Sequence, residues 1–395
     1  MYSSPDHIPR PTMIDGQRLL PDTLDGLSQT LDDWQAAHPG MGLLVLLPEA
    51  GKGNVPELQS ACRQRGIPLF GAIFPMLITP SGFSPRGAWL VRFDNAPQGF
   101  LLPSRETAAD TAQEVVQEVE ARLTGEVTAP AAIPTLFLIF DGQLPAIGSI
   151  LTGIYRKLHR RVCYAGVNAG SETFQPIPCL FDAERTLGDG VLGLLFEDAV
   201  KNVVEHDYPV SQTLMRATSA SGNRVVSIDG RPAFEVYQEI SQREFGAHLT
   251  KENFYDHAVH YPLGVVTAAD ILVRIPVAYD DDGSVHCVGE VPPNSMLRLL
   301  RAPLVDDCNC TRKIADQMTA EGGGILVFYC AGRRMHFKDK ADLELTDLAK
   351  RLDTPALAGA LSLGEIDTMP EVGIPRFHNA AVVFLQRLPA GESPP

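Results

Sequence analysis

Three stretches of this chain repeat one order of elements, and that order limits the fold more than any single motif does. The apolar runs "LLVLLPEAG" from Leu43, "TLFLIFDG" from Thr135 and "GILVFYCAG" from Gly324 each precede a helical pattern. Each then leads into a second run: "LFGAIFPMLI" at 69–78, "YAGVNAGSETF" at 164–174 and "LAGALSLGEI" at 357–366. Every second run meets a glycine, at Gly71, Gly166 or Gly359, and reads as a strand that breaks there into a turn. A further run follows, "GAWLVRF", "GVLGLLF" or "AAVVFL". A strand that returns through a helix to its neighbour gives a parallel pair, buried on both faces, which accounts for continuous Leu, Val, Ile and Phe in place of alternation. The pattern predicts an α/β fold: two mixed, mainly parallel-sheet lobes built from related strand-helix-strand-turn-strand units.

The intervening segments support this. In "PAIGSILTGIYRKLHR" the residues Ile147, Ile150, Leu151, Ile154, Tyr155 and Leu158 fall at helical spacing. In "DTAQEVVQEVEARLTG" an apolar stripe of Val115, Val116, Val119 and Leu123 faces away from the acids. Residues 1–34 are polar and proline-rich and read as a flexible arm, followed by a first α/β domain over 35–205. The less hydrophobic "EHDYPVSQTLMRATSASG" at 205–222 marks a junction, and a second domain runs over 223–390. It opens with "NRVVSIDGRPAFEVYQEI", a strand, an Asp-Gly turn and a helix with Pro232 at its start, and continues with strands joined by a tight turn at Asp282 and Gly283. The tail after Leu388 reads as disordered.

Charge excludes one class of partner. With 33 basic against 48 acidic residues the formal charge is −15, which argues against a general binder of nucleic acid phosphates. The one dense basic patch, "RKLHRR" at 156–161, suits the C-terminal end of a helix. Seven irregularly placed cysteines do not form a disulfide scaffold. Cys163 and Cys330 sit in apolar strands and read as inert thiols. Cys308 and Cys310 lack the two-residue spacing of structural zinc sites and read as exposed or reactive thiols. The start "MYSSPDHIPRPTMIDG" has no basic, apolar leader pattern, and no stretch is long and apolar enough for a membrane span, so cytoplasm is the expected compartment.

No dinucleotide, P-loop or nucleophile-elbow pattern occurs, and no base stands beside Cys163 or Cys330, so no enzymatic activity is expected. Two candidate sites stand out. Asn168, Glu172, Gly364 and Glu365 follow the strand glycines Gly166 and Gly359, at strand ends where open α/β sheets bind ligands. The same acids could simply satisfy turn N–H groups. The second is "ENFYDHAVHYPLG", where His257 and His260 are three apart, with Phe254 and Tyr261 beside them. Aromatic walls around an imidazole suit haem, with His260 as the iron ligand, although surface histidines are the plainer reading. His286, His336 and His378 are further candidates.

"VVSIDGRPAFEVYQEI", "YPLGV", "VPPNSMLRLLR", "GILVFYCAGRR" and "LAGALSLGEI" followed by "FHNAAVVFL" resemble, in that order, the C-terminal half of the FIST family of sensory proteins. "LFGAIFPMLI" and "YAGVNAGSE" resemble turns of its N-terminal half. The resemblance spans residues 35–390 and implies a small-ligand sensory module in signal transduction. A subgroup without an attached output domain binds haem, senses nitric oxide and communicates with a histidine kinase. That subgroup implies haem b here, with nitric oxide or another small ligand as the signal and a histidine kinase or other signalling protein as the partner; pairing with a second copy of the chain stays open. The first turn departs from the family's Gly-Glu pattern: Pro75, Met76 and Leu77 stand there, which suits an apolar ligand better than an amino acid. The alternative expectation is a haem-free sensor that clasps a metabolite between its halves through Asn168, Glu172 and Glu365.

Overall fold

The computed structural model describes residues 16–123, 133–196, 200–267, 270–318, 324–353, 357–369 and 372–387. A first unit comprises β1 (Gly16–Leu20), α1 (Leu27–Ala37), β2 (Gly42–Pro48), α2 (Val55–Arg65), β3 (Leu69–Phe74), the hairpin β4 (Leu77–Thr79) and β5 (Gly82–Ser84), and β6 (Ala88–Phe93). A second repeats it with β7 (Gln98–Pro103), α3 (Ala108–Arg122), β8 (Thr135–Asp141), α4 (Ile147–Leu158), β9 (Cys163–Ala169), the hairpin β10 (Leu180–Asp182) and β11 (Thr186–Leu187), and β12 (Gly190–Phe196). The third opens with β13 (Val200–Glu205) and is interrupted by an inserted lobe. That lobe holds β14 (Val210–Ser221), β15 (Arg224–Ile228), β16 (Arg231–Pro232), α5 (Ala233–Phe245), α6 (Phe254–Ala258), β17 (Leu263–Val266), β18 (Ile271–Arg274), β19 (Pro276–Tyr279), β20 (Val285–Cys287) and β21 (Met296–Leu300). The third unit resumes with α7 (Cys310–Gln317), β22 (Ile325–Cys330), α8 (Ala331–Phe337), α9 (Ala341–Arg351), β23 (Ala358–Ser362), the hairpin β24 (Glu365–Thr368) and β25 (Pro375–His378), and β26 (Val382–Arg387).

Each unit builds a six-stranded sheet of one design. The orders are β1-β6-β2-β3-β10-β11, β7-β12-β8-β9-β24-β25 and β13-β26-β22-β23-β4-β5. In each, the central pair is parallel (β2 with β3, β8 with β9, β22 with β23) and the flanking pairs are antiparallel. The α/β class therefore holds and the sheets are mixed, but they are not mainly parallel. Only the helix-connected strands run side by side, while the closing strand and the hairpin return in the opposite sense.

The hairpins do not stay with their own sheets. That of the second unit pairs with β3 of the first, that of the first with β23 of the third, and that of the third with β9 of the second. The exchange closes into a ring and explains the three glycines. Gly71, Gly166 and Gly359 lie inside β3, β9 and β23 rather than at turns. Each faces a bulky residue of the incoming hairpin, in the pairs Gly71 with Phe181, Gly166 with Ile366 and Gly359 with Ile78. A Cβ at Gly71 would fall 2.1 Å from the Phe181 ring, and at Gly359 1.7 Å from the Val327 carbonyl oxygen. Glycine in a strand commonly marks such close approach.

The inner faces of all three sheets share one core, in which Leu43, Val45, Phe137, Ile139, Leu326, Phe328 and Val383 pack together. The outer faces are covered by helices. On α4, Ile147, Ile150, Leu151, Ile154 and Leu158 are the buried stripe read from the sequence, and Val115, Val116 and Val119 of α3 meet them. Residues 16–34 are not an arm: β1 pairs along β6, and Leu27, Thr30 and Leu31 of α1 are buried. Residues 1–15 and the tail beyond 387 lie outside the described residues. The inserted lobe is an antiparallel sheet, β18-β17-β21-β14-β15-β20-β19, with its own core against α5 and α6. Its Asp229-Gly230 turn has φ of 50° and 78°, the positive values that a tight hairpin requires. Among the described residues no helix is long and apolar enough to cross a membrane.

Candidate functional site

The three hairpin junctions are equivalent down to the main chain. The N–H groups of Ile73, Asn168 and Leu361 donate to the carbonyls of Cys179, Gly364 and Met76 at 2.8, 2.9 and 2.9 Å. The first residue of each incoming strand is therefore comparable: Leu77, Leu180 and Glu365, all fully buried. One junction of the three carries an acid where its sisters carry leucine. It also carries Asn168 where they carry Ile73 and Leu361. An acid placed at a position built for an apolar side chain costs stability, so its presence points to use.

Glu365 Oε1 accepts from Ser362 Oγ at 2.5 Å, while Oε2 has no protein partner. Burial outweighs these donors and pushes the carboxyl up to about 8. At neutral pH it is protonated, and offers a hydrogen-bond donor rather than a charge. On the next strand, His378 faces Asp367 Oδ1 at 3.0 Å through Nε2, and its Nδ1 has no partner. Although burial raises it, His378 and Arg376 hold the Asp367 carboxyl below its ordinary range. Neither side-chain amide atom of the adjoining Asn379 is bonded. Buried polar atoms are nearly always paired, so this accumulation along one hairpin is unusual.

Two spaces flank the hairpin at the seam between body and insert. One is a void of about 30 Å³, bordered by Glu172, Val259, Ile275, Cys330, Leu363 and Asn379, with room for a water or two. The other is an open cleft of about 1020 Å³, into which Glu205, His206, Tyr208, Asp270, Asp367 and Arg376 face. The second matches the size of small-ligand sites.

The residues read from the sequence divide between these places. Glu365 and Gly364 stand at the polar junction, and Gly166 and Asn168 lie on the strand they pair with. The Asn168 side chain lies against Gly364 and its Oδ1 is unpartnered. By alternation it projects from the face opposite Val167, the core residue that pairs with Glu365. Glu172 borders the small void, 3.9 Å from Arg334. It does not correspond to Glu365, because the second unit has a longer loop and Leu180 takes that place. Gly359 belongs to a different junction.

The four residues expected around haem do not form one slot. Phe254 is buried in the core of the insert against Phe234, Tyr237 and Tyr279. His257 stacks on Tyr261, which stacks on Phe245. His260 Nδ1 is 2.6 Å from His336 Nδ1, and His336 Nε2 is 2.8 Å from the Pro303 carbonyl. The carbonyl requires a proton on His336 Nε2, so His336 accepts from His260 and the His260 Nε2 lone pair is left free. That tautomer suits a metal, but the void bordered by the neighbouring Tyr255 and Val259 holds only about 30 Å³. A macrocycle does not fit there. Burial, with His336 and His257 nearby, lowers the His260 pKa to about 4.

Sequence reasoning missed Asn379, Asp367 and the buried pair of Arg333 with Glu344. Aligning the three units on their glycines sets Glu172 and Glu365 against Leu77, and only the strand pairing shows that Leu180, not Glu172, is the counterpart of Glu365; nothing local distinguishes Asn379.

Three sheets trade hairpins, and a cleft of ligand size lies beside the one polar junction among the described residues. Residues 44–231 match the FIST N domain and residues 233–367 the FIST C domain, so the chain belongs to the FIST family. FIST domains are sensory domains of signal transduction that bind small ligands. No curated protein matches the chain. The two matches meet within the inserted lobe, between β16 and α5, and both contribute to the three-sheet body.

Proposed function

We propose that this protein is a haem-free sensor that binds a small, uncharged, hydrogen-bonding metabolite over the β24–β25 hairpin, at the seam between the body and the insert. The observation that carries this is the buried Glu365 at a position where both sister units have leucine, beside the unpartnered atoms of His378 and Asn379. Asp367 and Arg376 of the hairpin line the cleft, which supplies room, and Asn379 borders the small void; the protonated Glu365 is buried behind them, lines neither space, and would donate to a ligand once the seam opens. Occupation would separate or clamp the two lobes, and that change of state is what a partner protein reads.

The test is a thermal-shift screen of nucleobases, polyols and simple carboxamides, with free amino acids as charged controls, against the wild type and Glu365→Leu. A ligand that binds only the folded state raises Tm. Hits are expected with the wild type and lost in the variant. Hits that persist unchanged in Glu365→Leu and in Asn379→Ala place binding elsewhere and end this reading. Haem b with His260 as ligand, nitric oxide sensing and control of a histidine kinase form the finer expectation of the resemblance, which the scattered aromatic set does not favour. A haem titration tests it: no Soret band that depends on His260 is expected.

A further inference from the structure

Cys308 stands just before α7 and Cys310 is its first residue. Cys308 is half-buried and Cys310 fully buried. Their sulfurs and a carboxylate oxygen of Glu344 all lie within 4.8 Å of one another. Into this group projects Arg333, fully buried, whose Nη2 donates to Cys308 Sγ at 3.0 Å. The same guanidinium holds Glu344 at 2.7 and 2.9 Å, and Tyr329 donates to that carboxylate at 2.5 Å. The Cys310 thiol donates to the Glu205 carbonyl at 3.3 Å, and its sulfur lies within 4.8 Å of the Cys308 sulfur. A buried guanidinium donating to a sulfur stabilises it as a thiolate. The Cys310 thiol and Arg333 hold Cys308 below its ordinary pKa against the opposing effect of burial. A cation at the same ligands would have to displace a buried guanidinium bonded to Cys308 and to both Glu344 oxygens, so the arrangement favours thiol chemistry over metal binding.

We propose that Cys308 is a peroxide-reactive thiolate and that Cys310 is its resolving thiol. The Cys308 sulfur attacks one oxygen of a hydroperoxide. An S–O bond forms, the O–O bond breaks, and the sulfur loses two electrons to the peroxide, whose other oxygen leaves as an alkoxide or hydroxide and takes a proton from solvent. The Cys310 sulfur then attacks the sulfenic sulfur. The S–S bond forms, the S–O bond breaks, and the departing hydroxide leaves with the Cys310 proton as water. Disulfide formation withdraws the thiolate from Arg333. That residue belongs to α8, whose Ala331, Gly332 and Met335 border the small void, so oxidation has a direct route to the seam.

The full chain is treated with hydrogen peroxide and its peptides are weighed by mass spectrometry. The expected product is a Cys308–Cys310 disulfide, and in Cys310→Ser a sulfenic acid at Cys308 that dimedone captures. Cys163 is the internal control: also half-buried, with its thiol pushed up to about 11 by burial, it should react at least about tenfold more slowly. The pH dependence of Cys308 alkylation by iodoacetamide in the unaltered protein needs no variant, and its midpoint should fall below that of a free cysteine. Oxidation of Cys308 no faster than Cys163, an alkylation midpoint at or above the free value, or stoichiometric zinc that shields both thiols would each overturn the proposal.

Discussion

The junction where β4 joins β23 and the junction where β24 joins β9 are built from the same parts, yet one is dry and the other polar. Both place a glycine opposite an isoleucine, Gly359 with Ile78 and Gly166 with Ile366. Both bury the preceding residue completely, but that residue is Leu77 in one and Glu365 in the other. The dry junction shows what the fold needs at this place, and the polar one shows what has been added to it. The added Glu365 stands among residues of the body, accepting from Ser362, while the inserted lobe reaches the same hairpin through Arg274 of β18, which donates to the Phe377 carbonyl at 3.0 Å. Structure and use are thus separable by subtraction, one unit from another.

The largest effect should come from making the dry junction polar. Leu77→Glu buries an acid where neither a Ser362-like donor nor a cleft is at hand, and a loss of about 4 kcal/mol or more is expected in urea denaturation. A cost below about 1 kcal/mol would mean that any junction tolerates an acid, and the contrast would lose its meaning.

A smaller effect should separate the three glycines. At Gly359 and Gly166 an added Cβ falls 1.7 and 2.2 Å from the carbonyl oxygens of Val327 and Leu138, main-chain atoms at the centre of a parallel pair. At Gly71 the obstacle is the buried Phe181 ring, a side chain rather than main chain. Gly359→Ala and Gly166→Ala are each expected to cost about 3 kcal/mol, and Gly71→Ala about 1 kcal/mol. Equal costs at all three would show that the ring, not the carbonyl, sets the limit.

The repeat itself was legible in the sequence because parallel central strands demand unbroken apolar runs, and three such runs with matching glycines are hard to hide. Their meaning was not legible. Gly71 looks like the end of a strand because a glycine usually is one; that it accommodates Phe181, more than a hundred residues away, depends on a pairing that no local pattern carries. The inserted lobe hid its own boundaries for the same reason, since β13 and β22 are neighbours of β26 in one sheet but stand far apart in the chain. Glu365 was visible as an acid in apolar company. Nothing local in "CAGRRM" marks Arg333 apart from Arg334, and only the distant Glu344 and Cys308 explain why it is buried.

The smallest predicted effect tests the protonated state of Glu365. The folded carboxyl keeps its proton up to about 8, whereas an unfolded glutamate releases it near 4.5. Between these values the folded form binds the extra proton, so the stability Glu365 supplies is full below about 4.5 and is lost as pH rises through 8. His206 and His260 act in the opposite sense. Burial lowers both to about 4 from 6.5, so their contribution is present above 6.5 and is lost as pH falls through about 4. Both imidazoles are present in the wild type and in Glu365→Leu alike, so the difference between the two proteins isolates the carboxyl. Raising the pH from 6.5 to 8 should cost the wild type roughly 1–2 kcal/mol relative to the variant in paired urea titrations. A constant difference over that interval would mean that Glu365 is already ionised at neutral pH, and the site would then select a cationic ligand in place of an uncharged one.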